Sequence, residues 1–88
     1  MKTEYRDSFV KDLKAIKDKG LLKRVKEVID VIENAESLTD LTNLKKLKAS
    51  KNYFRQRIGD YRLGLDFEHD TIVLVRFLNR KDIYKYFP

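Results

Sequence analysis

The sequence contains no cysteine and no tryptophan, one proline, three glycines and a single histidine, His69. Without cysteine, neither a disulfide framework nor a thiolate metal site can hold the fold. With one histidine and no cysteine we expect no zinc site, and we expect no metal or cofactor to be required. The three glycines form no phosphate-cradling loop, and no serine lies in a nucleophile-elbow motif. We expect His69 to be an exposed turn residue without a chemical role.

Long apolar runs are also missing from the chain. No run approaches the roughly 18 to 20 apolar residues that span a bilayer, and residues 1–6 lack the apolar core of a signal peptide. We therefore expect a cytoplasmic protein with no membrane partner. Its 88 residues, 42% hydrophobic and 39% charged, predict a single globular domain over residues 1–88.

Acidic residues are absent from the stretch between Leu41 and Gly59. That stretch carries six basic side chains: Lys45, Lys46, Lys48, Lys51, Arg55 and Arg57. They account for the whole net charge of +6, because the other 14 basic side chains are matched by 14 acidic ones. A local basic patch of this kind indicates a nucleic-acid footprint, although a solvated basic surface without a function is the alternative.

A basic β-hairpin is predicted around a two-residue turn at 59–60. Alternation along the first strand places Arg55 and Arg57 on one face. With this turn, Arg57 pairs with Arg62 and Arg55 pairs with Gly64, so three arginines converge on one patch. We expect Gly64 to leave open space beside Arg55. Like charges packed together indicate an anion to bind, and phosphate is the leading candidate.

The N-terminal part of the chain predicts a short strand followed by two helices. Residues 2–5 form a weak edge strand, and Asp7 or Ser8 is expected to cap a first helix that ends at Gly20. Apolar residues at helical spacing predict a second helix over residues 21–35. The two helices should form an α-helical hairpin on one side of the sheet.

Further elements are predicted on both sides of the basic hairpin. Leucines at every third position over residues 38–47 indicate a helical turn, and a turn at 69–70 leads into an apolar strand over residues 71–78. In this register Phe77 shares the face that carries the arginines, whereas Arg76 has no clear place. The predicted fold class is α+β, a twisted antiparallel sheet of a short N-terminal strand and a three-strand C-terminal meander, packed by the helical hairpin.

The last segment predicts a short C-terminal helix. Arg80 and Tyr84 are four residues apart and would share one of its faces. Since this helix leaves the strand next to the one that holds Arg62, we expect it to bring both side chains to the arginine cluster.

The order of these elements, with the motifs over residues 53–64 and 77–84, resembles the RelE/ParE superfamily of toxins from type II toxin–antitoxin systems. The resemblance covers essentially the whole chain and favours the RelE-like branch. It implies a ribosome-dependent endoribonuclease that cuts mRNA in the A site by attack of the 2′-hydroxyl on its own phosphodiester. It also implies a cognate antitoxin, for which we expect an acidic or amphipathic segment that covers the basic site or the helical hairpin.

The resemblance and the basic patch together define the candidate site residues. The candidate catalytic residues are Arg55, Arg57, Arg62, Arg80 and Tyr84. The candidate RNA- or ribosome-binding residues are Lys45, Lys46, Lys48, Lys51 and Lys81. Arg55 stands where a well-known RelE toxin carries lysine, and Asn79 stands where several relatives carry histidine. Arginine is a poor proton acceptor, so either Arg55 acts by electrostatics, Tyr84 or Lys51 takes the proton, or catalysis is weak.

Two other functions fit the same sequence. One is a ParE-type protein, which inhibits DNA gyrase through protein contacts and is not an enzyme. The other is a basic RNA-binding module without toxicity. Retention of the full set of basic residues with a tyrosine favours the nuclease over the ParE-type inhibitor.

Overall fold

The structure, a computed structural model, describes residues 1–48 and 52–88. The elements in chain order are β1 (Lys2–Tyr5), α1 (Asp7–Lys14), α2 (Lys19–Asn34), a 3₁₀ turn (Leu38–Asp40), β2 (Leu44–Lys46), β3 (Tyr53–Ile58), β4 (Tyr61–Glu68), β5 (Thr71–Asn79) and α3 (Arg80–Tyr86). None of the helices formed by the described residues is long and apolar enough to cross a membrane.

The strands form one five-stranded sheet in the order β1-β5-β4-β3-β2. The predicted α+β fold with a helical hairpin and a C-terminal meander is confirmed. The sheet is mixed rather than fully antiparallel, however, because β1 runs parallel to β5, with Lys2 opposite Thr71 and Tyr5 opposite Leu74. The orientation of a short edge strand depends on where the chain re-enters the sheet, which its own four residues do not specify.

The connection between α2 and β3 differs from the predicted helical turn. Only Leu38–Asp40 is helical, and the Leu41 amide closes that turn by donating to the Leu38 carbonyl at 3.0 Å. Asn43 then adopts a positive φ of 57°, which no right-handed helix accommodates. The following residues form β2 against β3, so the threefold leucine spacing reflects two different elements.

The helix boundaries were also predicted incorrectly. Arg6 is the N-cap of α1 and makes no capping side-chain bond, so the predicted caps are not used. Gly20 does not end this helix but lies in the first turn of α2. There the carboxylate of Asp18 accepts from the Leu21 amide at 3.2 Å, and this side-chain cap starts the second helix before the glycine.

Helix α1 covers the part of β5 that β1 leaves unpaired. The Ser8 hydroxyl donates to the Val75 carbonyl at 2.6 Å. The carboxylate of Asp12 accepts from the Phe77 amide at 2.9 Å and from the Arg76 guanidinium at 2.7 and 3.0 Å. Arg76 therefore has a place, and its hydrogen bond with Asp12 raises the pKa of its guanidinium.

A register shift between Gly64 and Leu65 corrects the predicted placement of Phe77. Leu65 lies opposite Leu74, but Gly64 lies opposite Arg76, so β5 contains one extra residue at this point. A β-bulge of this type inverts the alternation of the residues that follow. Phe77 consequently points into the core, where it is buried, and does not share the arginine face.

The main core lies between the helical hairpin and one face of the sheet. Its fully buried side chains from these elements are Phe9, Val25, Ile32, Leu63, Leu65, Ile72, Leu74 and Phe77. Burial of each such side chain contributes about 1.5–3 kcal/mol. The helical hairpin thus holds one face of the sheet and leaves the arginine face to the C-terminal segment.

The C-terminal segment packs on the arginine face. Ile83 and Phe87 are buried there, and a β-carbon added to Gly64 would lie 2.8 Å from the Phe87 ring. The space that we expected to be open beside Arg55 is therefore filled by Phe87. This packing fixes α3, and hence Tyr84, against the strands that carry the arginines.

Candidate nucleic-acid interface

The basic hairpin adopts the predicted register. Arg57 lies opposite Arg62, and Arg55 lies opposite Gly64. Of the two turn residues only Gly59 has a positive φ, at 60°, which matches a type II′ turn with glycine in the first central position. The twist of this turn matches that of the flanking strands. Because paired residues share a face, the three arginines project from one face of the sheet.

These arginines line a cavity of about 290 Å³ at the junction of the sheet and α3. Its lining residues are Asn43, Leu44, Lys45, Arg55, Arg57, Arg62 and Tyr84. The central carbon of the Arg55 guanidinium lies 4.6 Å from the centre of the Tyr84 ring, within the range of a cation–π contact. Tyr84 is nevertheless 63% exposed, so much of its ring surface is open to a ligand.

The arginines of this cavity carry charge without acidic partners. Arg62 donates to the carbonyls of Gly59 and Tyr61, at 2.9 Å in both cases, which fixes its guanidinium near the turn. Among the described residues, neither Arg55 nor Arg57 nor Arg62 forms an ion pair with a carboxylate. Their uncompensated charge, held on a rigid sheet, is suited to an anionic ligand with several oxygen acceptors.

A second cavity of about 380 Å³ adjoins the first around the hairpin turn. Its lining residues are Arg24, Asn43, Arg57, Gly59, Asp60, Arg62 and Arg80. The Arg80 amide donates to the Asp60 carbonyl at 2.9 Å, so the start of α3 is tied to the turn. The structure thus brings all five candidate catalytic residues to two neighbouring cavities, although Arg80 lines the second and Tyr84 the first.

Arg24 is a residue of this surface that sequence reasoning missed. It lies on α2, and a β-carbon built on Gly59 would be 2.8 Å from its Nη1 atom. In the sequence it precedes Val25, which belongs to the apolar stripe of the helix, and no local pattern connects it with the hairpin. The contact arises only when α2 packs against the sheet. Asn43, whose carbonyl accepts from the Arg57 amide at 3.1 Å, was also missed, because β2 was not predicted to pair with β3.

The strand lysines lie on opposite faces of β2. Lys45 pairs with Arg55 and lines the first cavity, whereas Lys46 pairs with Phe54 and so projects from the other face of the sheet.

The other candidate binding lysines are more distant from the cavities. Lys48 is an exposed turn residue, and Lys81 is an exposed residue of α3; neither lines the two cavities described above. Lys51 lies outside the described residues. For all five lysines, contact with RNA or the ribosome stays a prediction.

Comparison with known proteins identifies the family. Residues 3–84 match the family described as the ParE toxin of the type II toxin–antitoxin system, parDE. The chain belongs to this toxin family. It is 45% identical over 89 residues to Toxin RelE3 of Methanocaldococcus jannaschii, with complete coverage of both chains. The resemblance to the RelE/ParE superfamily is thereby confirmed, and the protein is a type II toxin.

Solved structures agree with this assignment. The toxin is similar to a chain of the RelB–RelE antitoxin–toxin complex from Methanococcus jannaschii, with 41% identity and a TM-score of 0.82 over 97% of this chain and 99% of that chain. The RelE–RelB complex from Pyrococcus horikoshii OT3 shares the fold, with a TM-score of 0.70 and 22% identity over 90% of this chain and 93% of that chain.

The histidine of the toxin lies away from both cavities. His69 and Asp70, with φ values of 53° and 59°, form the turn between β4 and β5. His69 is seven positions after Arg62 along β4, a distance of about 23 Å at the usual rise per residue. Asn79 caps α3, because its Oδ1 atom accepts from the Lys81 amide at 3.0 Å. Among residues 1–48 and 52–88, no group of three or more metal-ligating side chains is found.

Proposed function

We propose that this toxin is an endoribonuclease that cleaves mRNA in the ribosomal A site and thereby inhibits translation. The observation that carries the proposal is the first cavity, where Arg55 lies over the exposed ring of Tyr84 beside Arg57 and Arg62. It combines concentrated positive charge with an aromatic surface. Those two properties are what a single-stranded RNA ligand requires, since its phosphates need cations and its bases stack on aromatic rings.

In the proposed reaction the ribose 2′-oxygen attacks the adjacent phosphorus. A bond forms between the 2′-oxygen and phosphorus, the bond to the 5′-oxygen breaks, and the products carry a 2′,3′-cyclic phosphate and a 5′-hydroxyl. Negative charge accumulates on the phosphoryl oxygens in the transition state. Arginines held in advance at that position stabilise this charge more than they stabilise the substrate, which is the condition for catalysis.

The proton of the 2′-hydroxyl needs a separate acceptor. Arginine is a poor proton acceptor, so in the proposed reaction Arg55, Arg57 and Arg62 act through their positive charge. Of the residues that line the first cavity, Tyr84 and Lys45 carry groups that exchange protons. We propose that one of these, or a water molecule that they orient, accepts the proton and that a second transfer protonates the leaving 5′-oxygen.

We further propose a cognate antitoxin as the partner that holds the toxin inactive, and the cytoplasm, where ribosomes translate mRNA, as its place of action. The similar chain from Methanococcus jannaschii was solved with RelB, its antitoxin, which supports a partner of this kind. An acidic or amphipathic antitoxin segment complements the uncompensated arginines described above. Coverage of Tyr84 or the arginines by that segment would exclude RNA.

The proposal is tested by inducing the toxin in a bacterial host and mapping RNA ends that carry a 5′-hydroxyl against codon position. We expect new cuts inside translated codons, and we expect Arg80→Ala to abolish them. Lys85→Ala is the matched control, because it removes one charge from the exposed side of the same helix outside both cavities.

Two other results would contradict the nuclease. Intact mRNA together with trapped DNA gyrase would assign the toxin to the gyrase-inhibiting type, which the match to the ParE family description makes the relevant alternative. Intact mRNA without toxicity, with RNA binding retained, would indicate a binding module instead.

A further inference from the structure

The two basic cavities form one continuous surface. They share Asn43, Arg57 and Arg62, so a ligand that touches these arginines in the first cavity is also at the edge of the second. The second cavity adds Arg24 from α2 and Arg80 from α3, which brings cations from three separate parts of the chain to one place. Four arginines and one aspartate line it, leaving a clear excess of positive charge.

Arg24 is an exposed residue whose guanidinium lies against the hairpin turn. Its guanidinium approaches Gly59 so closely that a β-carbon there would lie 2.8 Å from Nη1. Among the described residues it forms no ion pair, although Asp60 lines the same cavity. A long side chain that is brought against a glycine turn without a carboxylate partner has its charge available for a ligand.

We propose that the second cavity is a subsite for the phosphate that neighbours the scissile one, and that Arg24 is its positioning residue. This inference rests on the proposed function and extends it, because the toxin would bind two consecutive phosphates of one RNA strand. Arg57 and Arg62 lie between the two subsites, Arg24 binds the outer phosphate, and the candidate catalytic residue Arg80 lines the same cavity.

The lining of the cavity favours phosphate over a protein segment. Grooves that bind amphipathic peptide segments anchor apolar side chains in apolar pockets. Of the residues that the structure describes, no apolar side chain lines the second cavity, which consists of arginines, Asn43, Asp60 and the backbone at Gly59. A strand with one negative charge per nucleotide supplies charge to both cavities at once, which a single carboxylate cannot do.

The test measures binding of short RNA strands in which every ribose is 2′-O-methylated, so that cleavage is blocked. Strands of two, three and four nucleotides contain one, two and three phosphates. We expect the affinity of the wild-type toxin to rise between two and three nucleotides. We expect Arg24→Gln to lose about three- to tenfold in affinity for the trinucleotide and less for the dinucleotide, whose single phosphate can occupy the first cavity. Its dependence on salt should weaken by about 0.7 in the logarithmic slope, corresponding to one lost phosphate contact.

Two further variants make the result specific. Lys26→Gln removes a charge from an exposed position of α2 that does not line the cavity, and it should match wild type. Asp60→Asn removes the carboxylate of the cavity, and it should bind the trinucleotide about two- to threefold more tightly without a comparable gain on the dinucleotide.

The outcomes separate this inference from the proposed function. If wild type gains affinity with the second phosphate and Arg24→Gln gains it equally, the outer subsite is refuted while RNA binding stands. If Arg24→Gln weakens binding of the antitoxin but of no RNA strand, the cavity serves partner carboxylates and the inference is wrong. If wild type binds none of the strands, the cavities do not bind RNA phosphates on their own and the inference is wrong, whereas the proposed function is decided by the mapping of cuts inside translated codons.

Discussion

Substitution of Gly64 by alanine tests whether the packing of Ile83 and Phe87 on the arginine face positions the candidate site. Gly64 lies beneath α3, and an added β-carbon would lie 2.8–2.9 Å from three atoms of the Phe87 ring. Real β-carbons essentially never make such contacts, so either the ring or the strand must move. Phe87 is buried and its amide donates to the Ile83 carbonyl at 3.0 Å. Its displacement therefore moves the helix that carries Tyr84.

The expected cost follows from two opposing effects. Overpacking of a filled site costs about 1–3 kcal/mol, and expulsion of the Phe87 ring would cost a similar amount. Replacement of glycine by alanine within a strand returns about 0.5–1 kcal/mol. We expect Gly64→Ala to lower the free energy of unfolding by about 1–2 kcal/mol, which corresponds to a Tm roughly 5–15 °C lower for a domain of this size.

The assay is a double-mutant cycle with Phe87→Ala, followed by thermal and urea unfolding of all four proteins. In the Phe87→Ala background the methyl group at position 64 meets no ring, so its cost should vanish or become a small gain. The coupling energy between the two positions should be about 1–3 kcal/mol. An equal destabilisation by Gly64→Ala in both backgrounds would refute the clash with Phe87. RNA cleavage by Gly64→Ala at the wild-type rate would refute the dependence of Tyr84 on this core.

Two further predictions concern other parts of the fold. Asp12→Asn removes the carboxylate that binds the Arg76 guanidinium and the Phe77 amide. It should lower the free energy of unfolding, measured in urea, by about 2–3 kcal/mol, and a change below about 0.5 kcal/mol would contradict this role. Burial, followed by the hydrogen bond to Glu33, raises the pKa of Tyr5 to about 12 from 10.0. The resulting stability is complete below pH 10 and is lost as pH rises to 12, so Tyr5→Phe should flatten the unfolding profile in this window, and parallel profiles would refute it.

The hairpin register could be predicted because its determinants are local. Strand alternation and the Gly59-Asp60 turn together set which residues of β3 face which residues of β4, and the predicted pairs are the observed ones. The bulge near Gly64 had a weaker signal, since residues 72–75 are apolar on both faces of the strand and only Arg76 did not fit the predicted register. A continuous apolar run does not show which of its residues face the core. The change of face that buries Phe77 is therefore visible only in the pairing of β4 with β5.

The helix ends illustrate competition between two local signals. Gly20 is a common helix terminator, but Asp18 supplies a side-chain acceptor for the Leu21 amide and starts α2 before the glycine is reached. In α1, the Ser8 side chain could cap the helix, but its hydroxyl donates to the Val75 carbonyl instead. This carbonyl belongs to the part of β5 that β1 leaves unpaired. In both cases the choice depends on which backbone groups tertiary packing leaves unpaired.

The candidate site shows the same division between local and tertiary information. The arginines of β3 and β4 follow from the register, whereas Arg24 reaches the hairpin only through the packing of α2. The 4.6 Å contact of Arg55 with Tyr84 is also tertiary, and it changes the interpretation of Arg55. The Arg55 guanidinium covers one face of the Tyr84 ring, where it contributes positive charge and holds the ring in position. The opposite face of the ring is left for a nucleobase of the proposed RNA substrate. In the proposed reaction the candidate proton acceptors among the described residues are Tyr84, Lys45 and a water molecule, and Lys51 lies outside the described residues. If the toxin is a nuclease, substitution of Arg55 should impair substrate placement as much as chemistry.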